Sequence, residues 1–228
     1  MNTNSNTYTV LYSIGLVVVV AAVLAFAAKF LQKKQEENVK KDTISQILTA
    51  AGIKYTDDNI LDVYKEMCDS SILVDLEGNK VGTLDKASCE VYGNADLKAQ
   101  VDASNKKLPV YKFSNGVTVV PCYGAGLWGP IWGYIGVNSD LKITKACFGH
   151  QGETPGLGAK ITDEPDAFAN YFSNKTITEK IEVGKGVNPT KSDDINAVDA
   201  ISGATITSNA AGKMVNQWLG FYQGYFNK

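Results

Sequence analysis

The sequence predicts an α+β fold behind an N-terminal membrane anchor, and three observations carry that expectation. Residues 8–28 are almost uniformly apolar, and no charged side chain precedes Lys29. From Pro109 to Phe148, short runs of β-branched and aromatic residues are separated by glycine and asparagine turn signals, the pattern of neighbouring antiparallel strands. On either side of that centre, apolar residues recur three and four apart, which is helical periodicity. Helices gathered before and after a mostly antiparallel sheet, rather than alternating with its strands, define the α+β class.

The elements follow in order. The apolar run has about the twenty residues a helix needs to cross a bilayer. A cleaved signal peptide fits less well, because Ala25-Phe26-Ala27 resembles a cleavage site but the basic residues that should precede it are missing. A soluble core helix is rarely apolar on every face for so long. A retained single anchor is therefore expected at 8–30, after a short tail at 1–7. Lys29, Lys33, Lys34, Lys40 and Lys41 all follow it, and the positive-inside rule by itself places the body that follows in the cytoplasm.

Residues 31–107 read as a helical and mixed N-terminal part of the body. Val39, Thr43, Ile44, Ile47, Leu48 and Ala51 share one side of a helix over 38–51, which Gly52 stops. Asp57 or Asp58 caps a second helix running to about Met67, and 72–76 turns at Glu77-Gly78-Asn79 as a hairpin. The segment 99–106 is polar and irregular. Residues 108–228 form the second part. Val110-Tyr111-Lys112-Phe113 and Val117-Thr118-Val119-Val120 flank Ser114-Asn115-Gly116 as a β-hairpin. Strands at 131–137 and 141–148 flank Asn138-Ser139-Asp140. Asp163-Glu164-Pro165 opens a helix through Phe172, with proline tolerated in the first turn. A strand over 176–187 and a loop to Asp199 lead to an amphipathic helix at 209–222, carrying Ala211, Met214, Val215, Trp218, Leu219 and Tyr222 on one face, with Thr207 or Ser208 as its N-cap.

Composition excludes several classes of function. A hydrophobic share of 44% with 20% charged residues belongs to a folded chain, not a disordered one. A net charge of −2 gives no footprint for nucleic acid. Cys68, Cys89, Cys122 and Cys147 include no Cys-x-x-Cys pair, and His150 is the only histidine, so no dedicated zinc or haem motif exists. Those cysteines fit either one or two disulfides or buried free thiols. No Gly-x-Gly-x-x-Gly opens a helix after a strand, so the chain has no nicotinamide fingerprint of its own.

Three stretches remain as candidate chemistry. Asp199-Ala200-Ile201-Ser202-Gly203-Ala204-Thr205 is a small-residue turn feeding the last helix. A hydroxyl beside the unpaired amides of a helix N-terminus is well placed to carry a phosphate; the plain alternative is a Ser/Thr-rich helix cap. Gly126-Leu127-Trp128-Gly129-Pro130 sits between strands, where an indole and a leucine on a glycine-flanked turn can cover a flat aromatic ligand; Trp128 and Trp132 are otherwise core tryptophans of the sheet. His150-Gln151-Gly152-Glu153-Thr154-Pro155-Gly156-Leu157-Gly158 holds a Pro-Gly turn whose glycines let backbone approach a ligand. His150 beside Glu153 also suggests acid–base work, but no nucleophile or metal cluster accompanies the pair.

At these residues the chain resembles a known family. Asp199-x-x-Ser202-Gly203-Ala204-Thr205 matches the signature of domains that carry FMN through a phosphoester to the final threonine. Together with Gly124-x-Gly126-Leu127-Trp128 and the stretch 150–158, in that order, it is similar to the FMN-binding domains of the NqrC component of Na+-translocating NADH:quinone reductases and of the RnfG component of Rnf complexes. Gly126-Leu127-Trp128 and the N-terminal layout bring it nearer the former. The resemblance implies one covalent FMN on Thr205, with Thr207 as the rival hydroxyl, Ser202, Gly203 and Ala204 shaping the phosphate pocket, and Leu127 with Trp128 against the ring. It further implies Glu153, Thr154, Gly156, Leu157 and Gly158 on the other side, and Asp199 as part of what a flavin transferase recognises. No catalytic residue and no metal are implied. The function implied is an electron-transfer subunit of an inner-membrane complex, relaying electrons from NADH, oxidised by a partner, toward quinone with coupled sodium transport. Its soluble domain would lie on the periplasmic side, against the lysine count. An Rnf-type or stand-alone extracytoplasmic carrier is the neighbouring alternative, and an anchored scaffold without flavin is the alternative from another class.

Overall fold

The computed structural model describes residues 6–228. The chain divides into two units, Met1–Lys40 and Lys41–Lys228. A single helix, α1 (Asn6–Ala50), begins in the first and ends in the second. The separate helix expected from residue 38 is therefore a continuation of the anchor. Residues 29–37 contain neither glycine nor proline, only good helix formers such as Lys, Leu, Gln and Glu, so nothing stops propagation. Most of the tail expected at 1–7 lies outside the described residues; Asn6 and Thr7 are already helical. In the first unit the helix is exposed all round, apolar and long enough to cross a membrane. Tyr8 stacks on Tyr12 and Phe26 on Phe30, so aromatic pairs bracket the apolar run, as side chains at the two membrane interfaces do.

The body, from Lys41, is built on a six-stranded antiparallel sheet in the order β2-β1-β3-β4-β5-β6. The strands are β1 (Cys68–Val74), β2 (Lys80–Thr83), β3 (Leu108–Phe113), β4 (Thr118–Ala125), β5 (Pro130–Val137) and β6 (Ile143–His150). Both faces are covered, and strand alternation sorts the core into two. Leu108, Val110, Val120, Cys122, Ile131 and Ile135 point to one face, where they meet Met214, Val215, Trp218 and Tyr222 of α5 (Thr205–Phe226). Tyr111, Phe113, Val119 and Tyr134 point to the other, against Ile44, Ile47 and Leu48 of α1 and Tyr64 of α2 (Ile60–Met67). β1 and β2, from the segment 31–107, pair into the same sheet as β3, the first strand of 108–228.

Several boundaries move from their expected places. The second helix starts after Asn59, not at an aspartate cap, and Asn59 Oδ1 accepts from Thr56 N at 2.7 Å. The segment expected to be irregular from residue 99 is in part helix α3 (Asn94–Val101), its start braced by Gly93 N donating to Asp96 Oδ2 at 3.0 Å. Leu141 sits in a turn with φ 58° rather than opening β6. In place of the helix expected from Asp163 through Phe172 there are two 3-10 turns, Pro165–Ala167 and Ala169–Phe172, and a short helix before them, α4 (Lys160–Asp163), stops at Glu164, where the following Pro165 disfavours helix. Of the strand expected over 176–187, Thr176 makes an isolated antiparallel bridge with Lys142, and β7 (Glu182–Gly184) pairs in parallel with β8 (Ala197–Asp199). All four cysteines are free thiols. Cys122 and Cys147 face opposite cores, so a bond between them is geometrically excluded.

Candidate functional site

The site assembles where three connections converge: the β4–β5 turn, the segment after β6, and the entry to α5. Helix α5 starts at Thr205, two or three residues before the expected cap. Its entry is a tight turn in which Ala204 N donates to Ile201 O at 3.0 Å and Gly203 takes φ 80°, the conformation a type II turn reserves for glycine at its third position. Ser208 braces that turn from inside the helix. Its hydroxyl donates to Ala204 O at 2.9 Å and accepts from Ile201 N at 3.0 Å. Spacing offers Ser208, with Thr207, as the cap; its hydrogen bonds back into the turn before Thr205 have no signature in spacing.

The first intrahelical bond runs from Ser208 N to Ala204 O at 3.0 Å. The amides of Thr205, Ile206 and Thr207 are thus the orphan donors of the first turn. Thr205 is half-buried and makes no side-chain hydrogen bond among the described residues. Thr207 is different: 1% exposed, its hydroxyl donates to Glu153 Oε2 at 2.6 Å. Ser202 and Gly203 are exposed and Ala204 is buried beneath them.

Glu153 joins the pieces. Its Oε1 accepts from Leu127 N at 2.8 Å and from Trp128 N at 2.9 Å, and its own amide donates to His150 Nδ1 at 3.3 Å. Burial is the largest single influence on the carboxyl and pushes its pKa up. The hydrogen bonds from Thr207, Trp128, Leu127 and Gly129 oppose burial, and together they leave the carboxyl below the ordinary glutamate value. A folded-state pKa below the unfolded one makes this carboxylate stabilising above the ordinary value near 4.3, with the contribution lost as pH falls through the lower folded value. Thermal unfolding of the parent should therefore lose stability below about pH 4 relative to Glu153→Gln, whose difference from the parent should be flat above about pH 5.

Around this carboxylate the other expected residues fall as follows. Leu127 and Trp128 are exposed, Trp128 by 70%. Trp132, by contrast, packs against the core, and its Nε1 donates to Gln46 Oε1 at 2.8 Å. Leu157 lies against the turn before α5, since a Cβ on Gly203 would stand 3.1 Å from its Cδ2. Gly158 is buried against Glu153 and Thr207. Thr154, Pro155 and Gly156 form the exposed crest, Gly156 with φ 74° and Thr154 O accepting from Leu157 N and Ala159 N. Asp199 stands apart from this knot. Its Oδ1 accepts from Asn188 N at 2.9 Å, tying the β7–β8 loop to the strand that leads toward Thr205. Asn188, which sequence reasoning misses, is buried and also binds Ser192 and Ala197 backbone. The spacing Gly124-x-Gly126-x-x-Gly129 runs between two strands and opens no helix. No group of three metal-binding side chains occurs among the described residues.

Orphan amides at a 22-residue helix start, a free hydroxyl at its first position and an exposed apolar turn on the same knot suit a ligand with a phosphate at one end and a flat ring at the other. Comparison with known proteins agrees. Residues 126–220 match the family model described as FMN-binding domain. A second model, a helicase-associated putative binding domain, C-terminal, matches residues 20–61, which hold none of the site residues. The C subunit of the Na(+)-translocating NADH-quinone reductase of Vibrio parahaemolyticus is 28% identical over 91% of this chain and 88% of its own length. That of Haemophilus ducreyi is 29% identical over 95% and 90%. Among solved structures, the same component of the reductase from Parabacteroides distasonis is 33% identical with a TM-score of 0.73, covering 87% of this chain and 98% of that one. Shewanella oneidensis NqrC is 25% identical with a TM-score of 0.70, covering 84% and 97%.

Proposed function

Because the chain belongs to the NqrC family of Na(+)-translocating NADH-quinone reductase components, we propose that it is the electron-carrying subunit of such a complex, with one FMN bound covalently to Thr205. The observation that carries the reading is the contrast between the two candidate threonines: Thr205 is accessible among orphan amides, whereas the hydroxyl of Thr207 is consumed by Glu153. FMN, when bound, supplies one- and two-electron transfer.

The chain's own residues have the remaining tasks. The hydroxyl oxygen of Thr205 would hold the FMN phosphate as a phosphoester, made with loss of the hydroxyl proton and of one phosphorus–oxygen bond of the flavin donor, and the first-turn amides and helix dipole would stabilise the phosphate charge. Ser202, Gly203 and Ala204 keep the approach narrow. Leu127, Trp128 and Leu157 shield the ring from water, with Thr154, Gly156 and Gly158 bordering the same space. Asp199, held by Asn188, presents the attachment segment to a flavin transferase. NADH oxidation falls to a partner subunit, because no nicotinamide motif opens a helix here. Electrons then continue toward quinone, with sodium transport coupled in the whole complex.

The direct test is the intact mass of protein made in a host that installs the cofactor: a gain of one FMN less one water supports the reading, and an unmodified mass removes it. Placement of the domain on the periplasmic side of the inner membrane follows from the need to share a compartment with the transferase. Paired C-terminal fusions to a reporter active only outside the cytoplasm and one active only inside should light the first alone. Activity of the cytoplasmic reporter alone would show that the lysines after the anchor, not the family, set the orientation.

A further inference from the structure

We propose that Glu153 is a positioning residue: its carboxylate ties the Leu127–Trp128 turn to the first turn of α5, so that the apolar platform and the attachment threonine keep a fixed separation. What the tie serves rests on the FMN-carrying reading above; the tie itself is a property of the folded chain.

Little else holds the turn. Leu127 and Trp128 are exposed, so core packing does not fix them, and the turn closes on itself through one backbone bond, Gly126 N to Gly129 O at 2.8 Å. Glu153 supplies the missing constraint. One oxygen takes the amides of Leu127 and Trp128, and the other takes the hydroxyl of Thr207, which is buried in the helix. A carboxylate so engaged keeps little acceptor capacity for anything else, which makes it a brace rather than a ligand contact. Glu153 is itself seated beside the sheet, its amide bound to His150 at the end of β6.

The space around it is made for it. A Cβ on Gly126 would stand 2.5 Å from Oε1, and one on Gly158 would overlap Oε2 and lie 2.8 Å from Thr207 Oγ1. Lys160 pairs with Glu164, not with this charge. A buried carboxylate neutralised only by neutral donors is costly to retain, and an apolar side chain would fill the volume without that cost. What an apolar residue cannot do is accept from the two loop amides and Thr207 together.

Amide exchange on the full chain in detergent, together with visible circular dichroism of the flavin-loaded protein, tests the tie. In Glu153→Ala, exchange at Leu127 and Trp128 should accelerate by about tenfold or more while β5 amides keep their rates. The flavin bands should change shape with the covalent mass intact. Glu153→Gln, which keeps an acceptor for the loop amides and lets Thr207 reverse its hydrogen bond, should restore both readouts. Thr207→Val should leave the two amides slow yet still alter the flavin bands, because only the link to α5 is cut. Unchanged exchange at Leu127 and Trp128, or β5 amides accelerating equally, would overturn the proposal. So would flavin bands in Glu153→Ala identical to the parent's. If Glu153→Ala does not fold, Thr207→Val and Glu153→Gln decide. A chain that carries no flavin at all would sink the FMN reading alone, since the exchange arm needs only the apoprotein.

Discussion

Thr205→Ala protein from a flavin-loading host is expected to be dark on a denaturing gel under ultraviolet light, while Thr207→Val and Ser202→Ala proteins stay fluorescent. The effect is all-or-none, because a phosphoester survives denaturation and a non-covalent flavin does not. Position decides among the hydroxyls. Ser208 is fully buried and committed to Ala204 and Ile201. Thr207 is nearly as buried and committed to Glu153, so esterifying it would require breaking the knot and exposing a helix interior. Ser202 is exposed but stands in the turn before the helix, not among its first-turn residues. Thr205 alone combines access with those amides. A fluorescent Thr205→Ala band would show that the attachment hydroxyl is another residue, and a dark Thr207→Val band with a fluorescent Thr205→Ala band would name it.

The parts of this architecture that sequence makes legible are those written in local periodicity. The 110–120 hairpin, the strand at 131–137 and the apolar face of α5 depend on near neighbours, and they stand where expected. The three motifs are also legible as candidates, because glycine clusters and a Ser-Gly-Ala-Thr turn are unusual locally. What cannot be read is what long-range contacts decide. Nothing near residue 41 announces that one helix continues from the anchor into the body, because an absence of breakers carries no mark of its own. The roles of Glu153, Thr207 and Ser208 depend on a partner 54 residues away in sequence or on a bond back into the preceding turn. Trp128 and Trp132 illustrate the limit well. They are four positions apart and of one residue type, yet one is exposed on the turn and the other bonds Gln46 of α1.

Gly158→Ala should be the most damaging single-methyl change in the 150–158 segment, lowering stability by about 2–4 kcal/mol. Alanine suits the backbone there, since Gly158 is not among the residues with positive φ; the cost is entirely one of space. The added carbon would overlap Glu153 Oε2 and stand 2.8 Å from Thr207 Oγ1 and 3.2 Å from Glu153 Cβ. Neither neighbour can retreat freely, because the carboxylate is held by two loop amides and Thr207 lies in the helix. Either the carboxylate leaves its donors unsatisfied in the interior, or the segment shifts away from α5. Two nearby glycines separate this effect from general intolerance. Gly156→Ala meets no atom within 4 Å but must adopt φ 74°, so backbone strain alone should cost about 1 kcal/mol. Gly152→Ala meets its nearest atom, Trp128 O, at an ordinary 3.9 Å and should change stability by less than about 0.5 kcal/mol. Thermal unfolding of the three variants ranks them directly. In the double variant Glu153→Ala with Gly158→Ala the clash has lost its partner, so the combined loss should fall short of the sum of the single losses by about 1 kcal/mol or more. Simple additivity, or a Gly158→Ala protein no weaker than Gly152→Ala, would mean that the carboxylate does not occupy the glycine-bounded space between the loop and the helix.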